Sequence, residues 1–497
     1  MMATAKKVLF SVISTLILVG LLECAALFVE WLRPDAQQRR LRLPPKEQGT
    51  VRVFTYGEST VYGWPIPEWG FVAQMEYGLK RRLPERGIEV VNFGTPSIDS
   101  GTVRAMIRGT LRCKPDLLIV LTGHNEFLSD ANPTLLHSIM VKSAFRRLLL
   151  RGLRRVRPVP PRGPAAIMPE EIRAYDRNAD LFQRKTQTFC RNIDAIIDLA
   201  QRTKTPLILM TAPANLCDWP PVYQKLARPR DEGAYERCVR EAKLHVDAGI
   251  FDKAALEIKR GLVTYADDPM LLFLQAKVLA GGGDMRGAKE LFLQAKDRDP
   301  VPWRVLSMFN RYVRAKSDCA GVEVLDMERA FEAAADNGLV GFSLFCDNCH
   351  PTPRGNAIIA AAIGNSASVK QLLGTERLVP QSLDEQTEEF LAGCETPEDR
   401  ARLQKKYLMN NAKYAMLPPF FNFDAASMYY GRAAELDDRD WRIWANMATM
   451  SLLENHLEKG AQELAKATEL HGSPLDPDDR MATPYLKEAL ARGAASH

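Results

Sequence analysis

A short segment, residues 57–60 (Gly-Glu-Ser-Thr), carries the first side chain that could do covalent chemistry. It follows a β-branched and aromatic run at 51–56 and precedes a loop that contains Trp and Pro. This order is typical of a strand that enters a tight turn, where a serine can be presented to solvent. Ser59 is therefore a candidate nucleophile. Gly and Ser are also ordinary turn residues, and Ser59 could simply cap a helix.

A serine nucleophile needs an imidazole base and a carboxylate that orients it. Among seven histidines, His350 stands three residues after Asp347, in the stretch 346–351 (Cys-Asp-Asn-Cys-His-Pro). A carboxylate on the same loop can bond the imidazole Nδ1 and leave Nε2 facing the serine. We therefore predict that Ser59 attacks, that His350 takes its proton and that Asp347 orients the ring.

The same stretch allows an alternative, because Cys346, Cys349 and His350 also match the c-type haem attachment pattern. Haem would make His350 an axial ligand and prevent it from acting as a base. Since no other histidine has so suitable a carboxylate, we favour the catalytic interpretation. Cys346 and Cys349 are then expected to form a disulfide or to remain thiols, and no cofactor or metal is expected.

Alternating strand and helix patterns must position these residues. The patterns predict strands at 51–56, 88–93, 116–122, 206–211 and 321–326, with helices at 70–83, 101–112, 178–202, up to 315 and from about 353. Strands separated by helices indicate right-handed β-α-β units, hence a parallel sheet with helices on both faces. The turns 57–59, 94–96 and 123–126 should then share the rim at the carboxyl ends of the strands, where ligands bind.

That rim also offers donors for a developing oxyanion. The candidates are the backbone N–H groups of Ser59 and Gly94 and the side-chain amide of Asn125. Each has an ordinary alternative, since Gly94 could be a turn glycine and Asn125 could satisfy loop backbone groups. Their joint order along the chain favours a catalytic set.

In order, residues 57–60, Gly94, residues 123–126 (Gly-His-Asn-Glu) and Asp347-x-x-His350 resemble the four sequence blocks of the SGNH/GDSL hydrolase family. The resemblance implies a flavodoxin-like three-layer α/β/α fold, a Ser-His-Asp triad and an oxyanion hole formed by Ser, Gly and Asn. It also implies the activities of that family, which include esterases, lipases and enzymes of carbohydrate O-acyl transfer. Glu58 and Glu126 depart from it, because the family usually has aspartate at both places. We expect Glu126 to be a structural hydrogen-bonding residue rather than a second acid.

The N-terminus is apolar from residue 8 to 32, apart from Glu23 and Glu30, and two lysines precede this run. Its length suffices for one membrane-spanning helix, and no A-x-A-like site for signal cleavage follows it. We predict a single-pass anchor at 1–33. The count of two Lys/Arg before and five after the run favours a cytoplasmic body, whereas the layout of a signal anchor favours an extracytoplasmic (periplasmic) one, which we prefer.

The hydrolase pattern is predicted in two parts of the chain, at 48–215 and 301–372. Residues 142–162 are rich in arginine and leucine and could form a basic helix on anionic lipid or a lid. Between the two hydrolase parts, at 231–300, small residues recur at a spacing of 34, which resembles tetratricopeptide repeats. The region 383–490 echoes them at a spacing of 35. Such repeats usually present a surface to a partner protein or an extended ligand, or they pad the fold.

The composition excludes only a few classes of function. A net charge of +5 over 497 residues does not indicate a nucleic-acid partner, and nine cysteines in so long a chain are not a secreted disulfide framework. Arg304 is a tentative substrate-binding residue, with a salt bridge on a helix surface as the alternative. We favour a membrane-anchored serine esterase or O-acyltransferase acting on an acylated glycan, lipid or small metabolite. The alternative is a repeat-based interaction scaffold with a vestigial hydrolase domain.

Overall fold

The computed structural model describes residues 43–128, 180–222, 232–374, 383–394, 396–417, 420–454, 456–477 and 485–495. The described residues from Gln48 onward all belong to the second of two compact units of the chain. The predicted anchor at 1–33 and the basic segment at 142–162 lie outside the described residues. Within the described residues, no helix combines the length and the apolar character that a membrane span requires.

Five parallel strands form one sheet in the second unit, in the order β2-β1-β3-β4-β5. They are β1 (Val51–Gly57), β2 (Ile88–Asn92), β3 (Leu117–Leu121), β4 (Leu207–Met210) and β5 (Val322–Leu325). This is the strand order of flavodoxin-like doubly wound folds, so the predicted fold class is confirmed. β1, β3 and β4 are buried along their whole length, as expected for parallel strands covered on both faces.

The described helices are numbered α1 to α18 in chain order. They are α1 (Ser59–Tyr62), α2 (Phe71–Arg82), α3 (Ser100–Thr110), α4 (Asp180–Thr203), α5 (Glu232–Asp247), α6 (Phe251–Thr264), α7 (Pro269–Gly281), α8 (Met285–Arg298), α9 (Ser307–Arg314), α10 (Met327–Ala334), α11 (Pro353–Gly364), α12 (Ala367–Leu373), α13 (Leu383–Cys394), α14 (Pro397–Met416), α15 (Phe423–Leu436), α16 (Trp441–Leu453), α17 (Leu457–His471) and α18 (Leu486–Ala495).

Helices of the sheet part pack in two groups. α2 packs against α11 and α11 against α10, whereas α3 packs against α4 and α4 against α9. Local capping fixes where several of them begin. The side chain of Asp99 accepts from Thr102 N at the start of α3, and that of Thr352 accepts from Gly355 N at the start of α11. Because the cap residue Thr352 directly follows Pro351, this cap also fixes the end of the loop that carries His350.

The helices α5 to α8 are inserted between β4 and β5. Helix α5 packs against α6 and α7 against α8, and α6 and α8 begin 34 residues apart. The positions that the repeat pattern pairs at this spacing are all buried: Ala254 with Ala288, Ile258 with Phe292, and Gly261 with Ala295. The spacing therefore marks a packing repeat, and its assignment to tetratricopeptide repeats stays a prediction.

The C-terminal helices correct the second repeat assignment. Ala426 and Ala433 of α15 are buried, but Ala461 and Ala465, which the sequence pattern paired with α15 at a spacing of 35, are exposed. The buried positions in α17 include Gly460 and Ala467, which stand 34 residues after Ala426 and Ala433. The alanines marked the exposed face of α17, because the small residue on its buried face is Gly460. A Cβ added at Gly460 would lie 2.7 Å from Leu452 Cγ, so glycine is what lets α17 approach Leu452.

The inserted and C-terminal helices meet along one side. Lys243 of α5 lies 3.0 Å from Asp424 of α15, and a cavity of about 650 Å³ is lined by residues of α5, α7 and α15. Phe273, Phe342 and Phe421 contribute aromatic surface to it. This cavity is where the two helical sets adjoin, and the predicted protein partner of the repeats stays a prediction.

Candidate active site

Ser59 stands at the junction of β1 and α1. It is the first residue of α1 and half-buried, and an N–H at this position has no acceptor within its helix. Gly57 makes the tight turn: a Cβ there would lie 2.0 Å from Leu121 O and 2.4 Å from a Val61 methyl carbon. The serine is thus presented at the end of a central strand by a turn that no larger residue can make.

The structure brings Ser59, His350 and Asp347 together. Ser59 Oγ lies 2.7 Å from His350 Nε2, and His350 Nδ1 lies 2.5 Å from Asp347 Oδ2. Both distances are within proton-transfer reach. His350 and Asp347 are buried, whereas Ser59 is half-buried. A serine, an imidazole and a carboxylate in this order can activate a hydroxyl and hold the imidazolium that results.

Asp347 is fixed by its own loop. Its Oδ1 accepts from Cys349 N at 2.9 Å and from His350 N at 2.8 Å, so Oδ2 remains for the imidazole. The loop closes on itself, because Cys346 N donates to His350 O at 2.8 Å. From the segment that follows β4, Asn215 Nδ2 donates to Asp347 O at 3.0 Å. These bonds settle which carboxylate oxygen faces the ring.

Glu58 ties the Ser59 turn to the turn after β3. Its Oε1 accepts from Thr122 Oγ1 at 2.7 Å and Gly123 N at 2.8 Å, and its Oε2 accepts from His124 N at 3.0 Å. The side chain is fully buried, and burial raises the pKa of Glu58 to about 7 against the lowering effect of these donors. In the sequence, Glu58 stands out only as a departure from a family pattern. Its long side chain is what reaches the neighbouring turn.

The three predicted oxyanion donors differ in availability. The Asn125 side chain is 8 % exposed and makes no hydrogen bond to another described residue. Gly94 N, however, donates to Asn92 Oδ1 at 2.7 Å, and Asn92 Nδ2 donates to Val61 O at 2.9 Å. Ser59 N and the Asn125 amide are thus open to a ligand, whereas Gly94 N must first exchange its present acceptor.

Gly94 also has a packing role that the sequence did not reveal. A Cβ at this position would lie 2.1 Å from Tyr62 N and 2.4 Å from Val61 C. Backbone atoms cannot move aside as a flexible side chain can, so glycine is required for α1 to sit against the turn after β2.

Two further ionisable residues follow β3, and both are buried. Glu126 Oε1 accepts from Ser100 N at 2.8 Å and its Oε2 from Ser100 Oγ at 2.9 Å, which agrees with the expected structural role. Burial and then the nearby Glu58 raise the pKa of Glu126 to about 8. His124 Nδ1 accepts from Val305 N at 3.1 Å, and burial lowers the pKa of His124 to about 3, so its ring is neutral.

Arg304 does not lie on a helix surface, which corrects that part of the prediction. It is 5 % exposed, and its Nη1 donates to Asn215 O at 2.9 Å and to Trp219 O at 2.8 Å. Its Nη2 lies 3.5 Å from Asp299 Oδ2. These contacts fix the segment after β4, so they give Arg304 a structural role, and they supply no support for substrate binding.

The Cys-x-x-Cys-His pattern does not fit haem attachment here. Cys346 and Cys349 are buried thiols that are not joined in a disulfide, and both nitrogens of His350 are engaged by Asp347 and Ser59. Ligand atoms of Asp347, Cys349 and His350 lie within 4.8 Å of one another. A metal bound at that point would have to displace Asp347 or Ser59 from the imidazole.

Comparisons with known proteins give fold neighbours only. No family model matches the chain, and no curated protein matches it. Among solved structures it is similar to an acetyl xylan esterase (11% identity, 63% of this chain and 98% of that chain, TM-score 0.30). A two-domain esterase active on acetylated mannans shares 11% identity over 67% of this chain and 52% of that chain, TM-score 0.29.

A gut microbial diltiazem-metabolizing enzyme is also similar, with 10% identity over 87% of this chain and 97% of that chain and a TM-score of 0.31. Identities and TM-scores this low carry no argument about activity. The functional case therefore depends on the geometry of Ser59, His350 and Asp347.

Two aromatic residues beside the site were missed by sequence reasoning. The ring centroids of Trp64 and Tyr414 lie 6.2 Å and 5.7 Å from the centroid of the His350 ring, and 6.2 Å from each other. Trp64 follows α1 closely in sequence, whereas Tyr414 comes from α14. A cue existed for Trp64, in the Trp- and Pro-containing loop after Ser59, but no local signal connects position 414 with the site.

Proposed function

We propose that this protein is a serine esterase or O-acyltransferase of the SGNH/GDSL type. The observation that carries the proposal is the continuous chain of short contacts from Ser59 Oγ through the His350 ring to Asp347 Oδ2, at 2.7 and 2.5 Å. In these roles Ser59 is the nucleophile, His350 the general base and Asp347 the residue that orients the ring.

The reaction proceeds through an acyl-enzyme. Ser59 Oγ attacks the carbonyl carbon of an ester while its proton passes to His350 Nε2. The ester C–O bond then breaks, and the imidazolium returns the proton to the departing alcohol. Water or a second hydroxyl attacks the acyl-enzyme with the same base, which gives a free acid or a new ester and restores Ser59. Hydrolysis and transfer therefore share every residue named here.

Negative charge on the carbonyl oxygen needs donors held in place. Ser59 N and the side-chain amide of Asn125 are the two donors open to a ligand, and Gly94 N joins them if it exchanges Asn92 Oδ1 for the oxyanion. Such preorganised donors often make the largest single contribution to acyl transfer. Glu58 supports this arrangement because it holds the Asn125 turn beside the Ser59 turn.

The substrate class is an ester of a glycan, lipid or small metabolite, and the site residues need no metal or cofactor for this chemistry. We also propose that residues 1–33 anchor the enzyme as a single-pass protein with an extracytoplasmic body. The apolar run at 8–32 supports the anchor. Reporter fusions after residue 50 test the orientation: activity of an alkaline phosphatase fusion is expected, and activity of a cytoplasmic reporter there would reverse it.

The central test is hydrolysis of p-nitrophenyl acetate by the full chain and its variants. Ser59→Ala and His350→Ala are each expected to lower kcat by roughly 10³-fold or more. Ser317→Ala and His456→Ala are matched controls, because both residues are exposed and their side chains have no hydrogen bond to a described residue. They should keep wild-type activity.

Covalent labelling identifies the nucleophile independently of substrate choice. A fluorophosphonate probe should modify the wild type at Ser59, as mapped by peptide mass, and should leave Ser59→Ala unlabelled. If the folded wild type neither hydrolyses activated esters nor takes the probe, the enzyme proposal is wrong and a vestigial hydrolase in a scaffold becomes the better account.

A further inference from the structure

The loop that carries the base, residues 345–351, is embedded in the C-terminal helices. Cys346 is fully buried and belongs to the same hydrophobic cluster as Leu408 and Ala412 of α14 and Tyr429 of α15. Residue 346 is adjacent to Asp347 in the chain. The peptide group next to the orienting carboxylate therefore packs in a core that the sheet does not supply.

Two tyrosine hydroxyls from these helices bond to the loop. Tyr429 OH donates to Cys346 O at 2.6 Å in a buried contact. Tyr414 OH donates to Asn348 Oδ1 at 3.2 Å, and Asn348 Nδ2 donates in turn to Trp303 O at 3.0 Å. The backbone before Asp347 and the side chain after it are thus held by α15 and α14.

Tyr414 also touches the imidazole itself. Its ring meets the His350 ring edge to face, with centroids 5.7 Å apart and an interplanar angle of 77°. On the nucleophile's side of the chain, Trp64 contacts both rings at 6.2 Å. Aromatic pairs in this geometry favour one ring orientation over others. The plane of the His350 ring is therefore constrained by Trp64 and Tyr414, two residues that are far apart in the sequence.

We propose that α14 and α15 are part of the catalytic apparatus, with Tyr429 and Tyr414 as positioning residues for the Asp347–His350 pair. The inference rests on the proposed esterase function and deepens it, because it assigns the C-terminal helical region a role in the reaction. Tyr429 acts through the Cys346 carbonyl, and Tyr414 acts through Asn348 and through ring contact. A small shift of the loop lengthens the His350 to Ser59 contact, on which proton transfer depends.

Helix α15 contains its own control. Tyr430 is next to Tyr429, is fully buried, and its hydroxyl makes no hydrogen bond to a described residue. Tyr429→Phe and Tyr430→Phe therefore remove the same atom from neighbouring buried sites, and the first of them alone loses a bond to the loop. Activity should separate the two variants by about tenfold in kcat, with KM within twofold of wild type in both.

A pH profile gives a readout that a merely structural role would not move. If Tyr429→Phe loosens the Asp347–His350 pair, the imidazolium loses part of its stabilisation, and the acid limb of the kcat/KM profile moves to lower pH. Tyr430→Phe should leave this limb in place. Tyr414→Phe, which keeps the ring, should lower kcat less than Tyr414→Leu, which removes it.

The experiment is run on the full chain, with melting temperature recorded for every variant. Equal kcat and equal acid limbs for Tyr429→Phe and Tyr430→Phe would overturn the inference while leaving an active, Ser59-dependent wild type intact. An inactive wild type would instead overturn the proposed function. Should Tyr429→Phe fail to fold, the Tyr414 pair decides: indistinguishable kcat and acid limbs for Tyr414→Leu and wild type would overturn it.

Discussion

The nucleophile and the base of the candidate site are held in different ways. Ser59 is fixed by the end of β1, by the close approach of Gly57 to β3, and by Glu58, all within residues 48–128. His350 depends on partners spread along the chain, because its loop bonds to Asn215, to the carbonyl of Trp303 and to Tyr429. One half of the site is local to the sheet, and the other is assembled from distant stretches.

This difference suggests how each half should respond to damage. A turn built from parallel strands is positioned once the sheet forms, because its neighbours lie one β-α-β unit away. A loop supported by three separate regions shifts when any of them shifts. Perturbations near His350 should therefore change catalysis with modest loss of stability, whereas those near Ser59 should cost stability as well.

The largest expected effect is that of Asp347→Asn, on the base side. The amide oxygen can still accept from Cys349 N and His350 N, which turns the NH₂ group toward His350 Nδ1 and reverses the tautomer of the ring. Nε2 would then carry a proton and could not take one from Ser59, so kcat should fall by about 10³ to 10⁴-fold. Ester hydrolysis measures this, with melting temperature alongside.

The exposed Asp336→Asn is the matched control and should keep full activity. An Asp347→Asn protein that retains more than a tenth of wild-type kcat would show that the carboxylate does not set the tautomer.

On the nucleophile side, Gly94→Ala should cost both stability and activity. The new Cβ would lie 2.1 Å from Tyr62 N, so α1 and Ser59 must move. Overpacking against backbone of this kind typically costs about 1–3 kcal/mol. The free energy of unfolding, measured in urea, and kcat should both fall. Gly109→Ala in α3, where a Cβ meets nothing within 4 Å, is the control and should be neutral or slightly stabilising. A free energy of unfolding equal to that of the wild type for Gly94→Ala would contradict the close packing of Gly94 against α1.

The smallest expected effect is a pH dependence at Glu126. Its pKa in the folded protein is raised to about 8 from an ordinary value of 4.5, so the folded state binds a proton that the unfolded state has released. The free energy of unfolding should therefore fall as pH rises toward 8. His124, with a pKa lowered to about 3, acts in the opposite direction, but only below its ordinary 6.5.

Urea unfolding at pH 6.5 and pH 8 isolates this contribution. Glu126→Gln keeps an acceptor for Ser100 N but cannot titrate, so its stability should fall less between the two pH values than that of the wild type. Glu58, with a pKa near 7, leaves a remaining slope in both proteins. Equal slopes would mean that Glu126 is already ionised at pH 6.5 in the folded state.

The sequence predicted the sheet well because its signals are local. Each predicted strand overlaps an observed one, for example 116–122 against Leu117–Leu121, since a short apolar run before a glycine turn has few other folds available. Asp347 and His350 could be paired for the same reason, being three residues apart on one loop. The pairing of His350 with Ser59 rested instead on the need of a serine nucleophile for an imidazole base, because residue 350 does not end a predicted strand.

The rest depended on packing that no local pattern encodes. For Arg304 the sequence offered tentative substrate binding or a salt bridge on a helix surface, whereas the side chain is buried against the carbonyls of Asn215 and Trp219. The spacing of 35 in the C-terminal helices followed alanines, and the buried face includes Gly460. Tyr429 sits in a helix whose sequence gives no hint of a partner 83 residues earlier.

The separation of Ser59 and His350, 291 positions along the chain, also orders events during synthesis. At ribosomal rates of roughly 5–20 residues per second, the serine is made about 15 to 60 s before its base. For the proposed chemistry, the nascent protein carries its nucleophile without the means to activate it throughout this interval. Premature release before position 350 would yield an inert product, so acyl transfer is confined to chains whose translation has passed that point.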